Sequence, residues 1–466
     1  MDTPGKDTPK TLMHAEEALA TRLALLFRDH GFQLLLVGGS VRDMLLGRET
    51  HDLDFATDAL PEQTRQILSR AHPTALYAVG EKFGTIGATF DAIVVEITTF
   101  RSESYQPGSR KPEVRYGRSL VEDLARRDFT INAIARDVLT GALIDPFGGQ
   151  HDLQQRLIRA VGDPIERFRE DPLRIMRAVR FVAQFDFTLE ARTRSAIPIC
   201  AELLQQVSRE RIFDEMNRLL VAPRASRGLR LMADLGILAV ILPEVLDLRR
   251  TTQGRRSKDV FEHTLRVIDR TAPDLVLRWA ALLHDIGKPR TIVQTDGEIH
   301  FPGHELVGER MCQEILTRLH ADSHLIDRVR RLTALHMRAN QYEDEWTDGA
   351  VRRLVRDAGE DLELLLELST ADVTSYRAAR VEAAVDRVRR LRERIRQLEE
   401  QARIEEIKSP LNGHELMAMF GRGPGPWIKA VKDYLLDLVL EGKLAPDDKA
   451  TAEALARQFV KERLAA

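Results

Sequence analysis

Residues 34–57 read LLLVGGSVRDMLLGRETHDLDFAT. The apolar run Leu34 to Val37 reads as a short buried strand. Gly38-Gly39-Ser40 breaks it, and residues 41–46 return to helical spacing before Gly47. Residues 51–56 read as a second strand. Positions two apart on a strand face the same side. Asp52 and Asp54 therefore present two carboxylates together while Leu53 turns to the core. Two like charges this close are costly without a cation, and phosphoryl transfer uses a pair of Mg²⁺ ions in such a place. Gly38 and Gly39 let backbone N–H groups approach phosphate oxygens, and the helix opened by Ser40 and Arg42 adds a favourable dipole. Strand-end aspartates commonly just cap or turn a chain; the glycine-rich turn a few residues earlier is what makes this pair specific.

Around this stretch, residues 12–31 read as an amphipathic helix ended by Gly31, and 61–70 as a helix with Pro61 in its first turn. Residues 85–90 and 92–100 are rich in β-branched types and read as paired strands. Glu96 on the second of these is a candidate third carboxylate or simply a solvent-facing residue. Residues 102–118, with Pro107, Gly108, Pro112 and Gly117, read as a long loop, which inside a compact domain is functional or disordered. Beyond residue 150 helical patterns dominate, with a small hairpin expected around Asp296-Gly297.

The whole chain has 466 residues, 43% hydrophobic and 30% charged, enough apolar material for real cores. No run approaches the ~18 apolar residues of a membrane span, and the polar first residues lack a signal-peptide pattern. Cys200 and Cys312 are read as free thiols of a reducing, cytoplasmic protein. Net charge is −3, so a polyanion partner must be met by local clusters. Arg101–Arg127, Arg156–Arg180 and Arg377–Arg403 each carry a basic excess, although solvated helix faces look the same.

Two further blocks carry chemistry. RRDFTINA at 126–133 offers Arg127 to phosphate, with Asp128 and Asn132 four apart, on one face of a starting helix, able to accept from and donate to a ribose. EDPLRIMRAVRF at 170–181 places Asp171, Arg174 and Arg177 three apart, with Arg180 beyond. Arg donors beside an Asp acceptor match the edge of a base, as side chains read bases in grooves. An intrahelical ion pair would produce the same pattern.

In their order and spacing these three blocks resemble the bacterial class II tRNA nucleotidyltransferase and poly(A) polymerase family, over about residues 33–225. The resemblance implies an α+β fold: a polymerase-β-like nucleotidyltransferase head with a small mixed sheet, then an all-helical neck. It further implies that Asp52 and Asp54 bind metal and that Arg127, Asp128 and Asn132 contact triphosphate and ribose. Asp171 with Arg174 would be the protein template that selects CTP or ATP. FRSESYQPGSRKPEVRY at 100–116 resembles the family's flexible loop, needed to switch from C to A. The basic clusters then read as contacts to an RNA backbone.

A different cluster lies in the second half: FEHTL with His263, ALLHDIGK with His284 and Asp285, PGHE with His304, LHM with His336 and ADVTS with Asp372. Imidazole and carboxylate donors suit Mn²⁺, Fe²⁺, Ni²⁺ or Zn²⁺. A charged pair on an otherwise apolar helix is expensive unless it is paired or bound. The order of these residues resembles the HD phosphohydrolase superfamily. By that motif His263, His284, Asp285 and Asp372 would hold one ion, His304 and His336 could hold a second, and Lys288 would lie near the phosphate. Some nucleotidyltransferases of this kind carry such a domain with phosphatase or 2′,3′-cyclic phosphodiesterase activity.

Val381, Val385, Val388, Leu391, Ile395, Leu398 and Ala402 form a heptad-like seam on a charged helix, packed on its own body. Residues 412–444, with a Gly/Pro-rich turn, resemble the tail of HD-bearing members. The expected organisation is a nucleotidyltransferase head (12–150), a helical neck carrying the template (151–250), an HD domain (255–375) and a helical C-terminal body and tail (376–466). The expected function is addition or repair of the 3′ CCA of tRNA from CTP and ATP, with a metal-dependent phosphohydrolase besides. An A-adding enzyme or poly(A) polymerase is the alternative within the class. A phosphohydrolase with an RNA-binding head is the alternative outside it.

Overall fold

The structure is a computed structural model that describes residues 9–49, 52–78, 84–104, 113–117, 119–253, 258–295, 298–373, 378–402 and 409–463. It divides into two compact units, up to Ile241 and from Leu242.

The first unit opens with helix α1 (Pro9–Asp29), whose Leu19, Leu23 and Phe27 are buried at i, i+4, i+8. There follow β1 (Leu34–Val37), α2 (Gly39–Leu45), β2 (Asp52–Thr57), α3 (Pro61–Ser69), β3 (Ala75–Ala78), β4 (Thr85–Phe90) and β5 (Ile93–Thr99). After these come β6 (Arg101–Ser104), β7 (Glu113–Tyr116), α4 (Leu120–Ala125), β8 (Ala135–Asp137) and β9 (Leu143–Ile144). Seven strands form one mixed sheet in the order β3-β4-β5-β2-β1-β8-β9. Only the β2–β5 pair is parallel, and its register sets Asp54 opposite Glu96. All of β1 is buried, as its unbroken apolar run requires of a central strand.

Helices α5 (Gly149–Gln154), α6 (Pro164–Glu170), α7 (Leu173–Phe185), α8 (Ala191–Cys200), α9 (Arg209–Leu220), α10 (Ala225–Asp234) and α11 (Ile237–Ile241) complete the unit. Helix α7 is buried along nearly its whole length and packs against α9 and α10.

The second unit is helical: α12 (Pro243–Asp247), α13 (Val260–Arg270), α14 (Leu275–Leu283), α15 (Lys288–Thr291), α16 (His304–Arg318) and α17 (Ser323–Asn340) come first. Then follow α18 (Asp348–Ala358), α19 (Leu362–Asp372), α20 (Ala378–Ala402), α21 (Gly413–Phe420), α22 (Pro426–Leu440) and α23 (Lys449–Arg463). The last three share a small core around Leu416, Trp427, Val431 and Leu435. A head with a small mixed sheet followed by helices is the fold class read from the sequence.

Several local expectations need correction. The segment 102–118 is not all loop: β6 and β7 pair antiparallel within it, and residues 105–112 lie outside the described residues. Strands β3, β8 and β9 are too short to show a period. On α20 Val385 is 43% exposed and Ala384 is buried in its place, because the seam follows 3.6 residues per turn against its own body. The expected hairpin forms, Val293–Thr295 against Glu298–His300, with Asp296 and Gly297 themselves outside the described residues. Both cysteines are free and buried. No helix among the described residues is long and apolar enough to cross a membrane.

Candidate active site and candidate metal centre

The β1–α2 turn is tight because Gly38 sits at φ 68°, in the left-handed region. A Cβ there would come within 2.7 Å of Arg127 Nη1, and one on Gly39 within 3.8 Å of Asp54 Oδ2. The glycines therefore bring backbone against both the arginine and the carboxylate. Ser40 pins this turn to β2: its hydroxyl donates to the Asp52 carbonyl (3.0 Å) and accepts from the Asp54 N–H (2.9 Å). Its oxygen thus stiffens the backbone between the two aspartates.

Leu53 is buried, Asp52 exposed and Asp54 half-buried, the alternation that the strand period predicts. Burial pushes the Asp54 carboxyl up to about 6; Glu96 and Asp52 push the same way, against Arg127 and Arg42. Glu96 is raised as well, by burial and by Asp52. The three acids hold more negative charge than their neighbours neutralise, which suits a divalent cation.

From this point a chain of polar contacts runs into the helices. Arg42 donates to Asp43 and to Asn132 Oδ1 (2.7 Å), and its guanidinium lies over Phe185, 4.6 Å from the ring centre. Asn132 Nδ2 then donates to Asp128 Oδ1 (2.9 Å), which also accepts the Phe129 N–H. Arg177 Nε donates to Asp128 Oδ2 (2.7 Å), and Glu215 accepts from Arg180 Nε (2.6 Å) while lying 3.9 Å from Arg177. Burial raises the Asp128 carboxyl, but Arg177 and the bonds from Asn132 and Phe129 outweigh it, leaving it at about 2.

The base-reading candidates are held differently from the expectation. Asp171 does not lie on α7: it ends α6 in extended backbone (φ −139°), because Pro172 comes between it and the next helix. Its carboxylate accepts from the Leu173 N–H (3.2 Å) and from Arg211 Nη2 (2.8 Å). Arg174 is tied to Glu170 (2.8 Å) and to the Arg126 carbonyl (2.8 Å). Asp128 and Asn132 meet as expected, although only Thr130–Asn132 is helical, and that as a 3₁₀ turn.

Every head and neck candidate from Gly38 to Arg180 lines one cavity of about 670 Å³. Glu96 is not among its lining residues. Sequence reasoning missed Asp123, Arg211 and Glu215. Fully buried Asp123 accepts from both Arg126 (2.7 Å) and Arg127 (3.3 Å); its spacing three and four residues before them was a usable signal. Glu215 stands in the buried stripe Ile212, Met216, Leu219, and an acid in such a stripe needs a partner.

In the second unit five helices converge. His263 comes from α13, His284 and Asp285 from the end of α14, His304 from the start of α16, His336 from α17 and Asp372 from the end of α19. Asp285 Oδ2 lies 3.3 Å from His263 and 3.2 Å from His284, and Oδ1 lies 3.4 Å from His304 and 4.0 Å from His336. Asp372 Oδ1 is 2.9 Å from His263 Nε2. His284, His304 and His336 each donate Nδ1–H to a carbonyl three residues back, which aims Nε2 inward. The Nε2 atoms of His304 and His336 are buried without a hydrogen-bond partner. Burial lowers His284, but Asp285 and Asp372 carry it up to about 10, and burial with His284 takes His336 down to about 4. Orphaned imidazole nitrogens beside uncompensated carboxylates fit a divalent transition metal. Lys288 lies against Asp285 Oδ2 (2.7 Å), its ammonium 5.5 Å from the centre of the Phe301 ring.

A mixed-sheet head with paired acids, glycine turn and arginine-lined cavity defines the nucleotidyltransferase class. The family described as Poly A polymerase head domain matches residues 34–159, the probable RNA and SrmB-binding site of polymerase A matches 186–248, and the HD domain matches 260–377. A CCA-adding enzyme of Geobacillus sp. (strain WCH70) is 32% identical over 419 residues, 90% of this chain and 91% of that one. Another, from Anoxybacillus flavithermus, is 32% identical over 428 residues, 91% of this chain and 93% of its own. The solved CCA-adding enzyme of Bacillus stearothermophilus in complex with CTP is 29% identical with a TM-score of 0.69, covering 98% of this chain and 99% of its own. The chain belongs to the CCA-adding enzyme family of tRNA nucleotidyltransferases.

Proposed function

We propose that this protein adds or repairs the 3′-terminal CCA of tRNA from CTP and ATP without a nucleic-acid template. The observation that carries the reading is the convergence of Asp52, Asp54, Asp128, Asp171 and Arg174 on a single cavity. One pocket would then serve both nucleotides. The boundaries read from the sequence describe the division of labour: head 12–150, neck 151–250, HD domain 255–375 and C-terminal body and tail 376–466.

Asp52 and Asp54 would hold Mg²⁺, which supplies charge neutralisation for the attacking 3′-oxygen, the triphosphate and the departing pyrophosphate. The chain's own residues orient the reactants. Backbone N–H groups at Gly38 and Gly39 face the phosphates, with Ser40 stiffening the turn. Arg127, fixed by Asp123, offers donors to the triphosphate, and Arg42 holds Asn132 so that its amide points to Asp128 beside the ribose. Asp171 accepts from an exocyclic amine while Arg174 donates to the base edge, and Arg177 and Arg180 keep that row in place. The tRNA 3′-hydroxyl forms the new bond to the α-phosphate as the bond to pyrophosphate breaks.

His263, His284, Asp285 and Asp372, with His304 and His336 completing the donor set, would hold a divalent transition metal, which supplies Lewis-acid activation of water against a phosphoester. This would be a separate phosphohydrolase activity.

Incubation with tRNA lacking its terminal CCA, one labelled nucleotide at a time, tests the reading. Sequential C, C and A incorporation is expected. Incorporation of A alone would indicate an A-adding enzyme or poly(A) polymerase instead. In the same assay Asp171→Ala should cost about 1–3 kcal/mol of CTP/ATP discrimination, the worth of a bidentate base contact. Equal loss for both nucleotides would count against a template role.

A further inference from the structure

We propose that Lys288 is the fixed second cation of the histidine-rich centre, so that the centre holds one divalent ion and not two. The inference rests on the reading of that cluster as a metal site. Asp285 Oδ1 and Oδ2 face different histidine pairs, and two donor groups, His263–His284–Asp285 and Asp285–His304–His336, share that carboxylate. Ligand geometry alone would therefore admit an ion on each side.

Charge decides otherwise. The imidazoles bind metal in neutral form, so the buried negative charge of the cluster comes from Asp285 and Asp372. Lys288, 6% exposed and three residues from Asp285, already sets one positive charge 2.7 Å from Oδ2. Phe301 presents its ring face to the same ammonium, which holds the charge in place. One divalent ion with the lysine leaves the cluster at +1; a second would bring it to +3. The ligands are buried, so that excess is screened little by water. An ammonium on the shared carboxylate thus does the work of the second ion.

The test is Ni²⁺ titration of the full-length protein in excess Mg²⁺, which fills the carboxylate head, with bound nickel counted after gel filtration. The wild type should retain one tight Ni²⁺ per chain. Lys288→Met, nearly the same shape without the charge, should retain two and bind the first at least tenfold more tightly. Two ions in the wild type, or one ion at unchanged affinity in Lys288→Met, would overturn the proposal while leaving the metal site standing. No tight Ni²⁺ in the wild type would overturn the metal reading itself, and this one with it. The wild-type count is decisive even if the variant fails to fold.

Discussion

Asp128 spends its acceptor capacity inside the protein, on Phe129, Asn132 and Arg177. Its carboxyl titrates at about 2 in the fold against an ordinary 3.8, so it stabilises the native state above the ordinary value and loses that contribution as pH falls through about 2. Asp128→Asn leaves Arg177 with one buried partner fewer and should cost about 3–5 kcal/mol at neutral pH. The difference in unfolding free energy between wild type and variant should shrink between pH 4 and 2. A constant difference across that range would show that Asp128 keeps no such bond. The residue itself was legible, because RRDFTINA is a compact block; its partner Arg177 was visible only as a member of a row. Asp123 and Glu215 were not singled out, since the partners that explain Glu215 lie on α7, 35 residues and more away. Arg211 reaches Asp171 across 40 residues, a contact no local spacing encodes.

Elements were legible in proportion to their length and period. Long amphipathic helices and the β4–β5 pair were readable, whereas strands of two to four residues carry no period, and the break at Pro172 moved Asp171 off the helix expected to carry it. Close helix approach was equally hidden. Gly287 lies at the start of α15, where a Cβ would sit 2.8 Å from Gly308 N and closer still to the His304 carbonyl oxygen. Gly287→Ala must push α16 away and carry His304 with it. Tight Ni²⁺ binding should weaken by about tenfold or more, as for loss of a supporting partner at a metal site, while C and A addition stays within about twofold. Unchanged nickel affinity would show that α16 yields without moving its histidine.

At the scale of the whole molecule, two sets of chemistry occupy two compact units, and the sequence separated them because each set is contained in its own span. Each cluster draws its acids and bases from elements inside its unit: β2, α7 and the 3₁₀ turn for one, five helices for the other. The shape of the cavity and the tethers of Asp171 and Arg174 were beyond reach of the sequence, since they depend on how α6, α7 and α9 pack. The account stands or falls on the twin acids of β2. The most direct measurement is single-nucleotide incorporation by Asp52→Asn beside Asp285→Asn and wild type, on tRNA lacking CCA. Asp52→Asn should lose several kcal/mol of transition-state stabilisation, about a thousandfold for both C and A, with Asp285→Asn at the wild-type rate. Wild-type incorporation by Asp52→Asn, or loss of incorporation in Asp285→Asn alone, would contradict it.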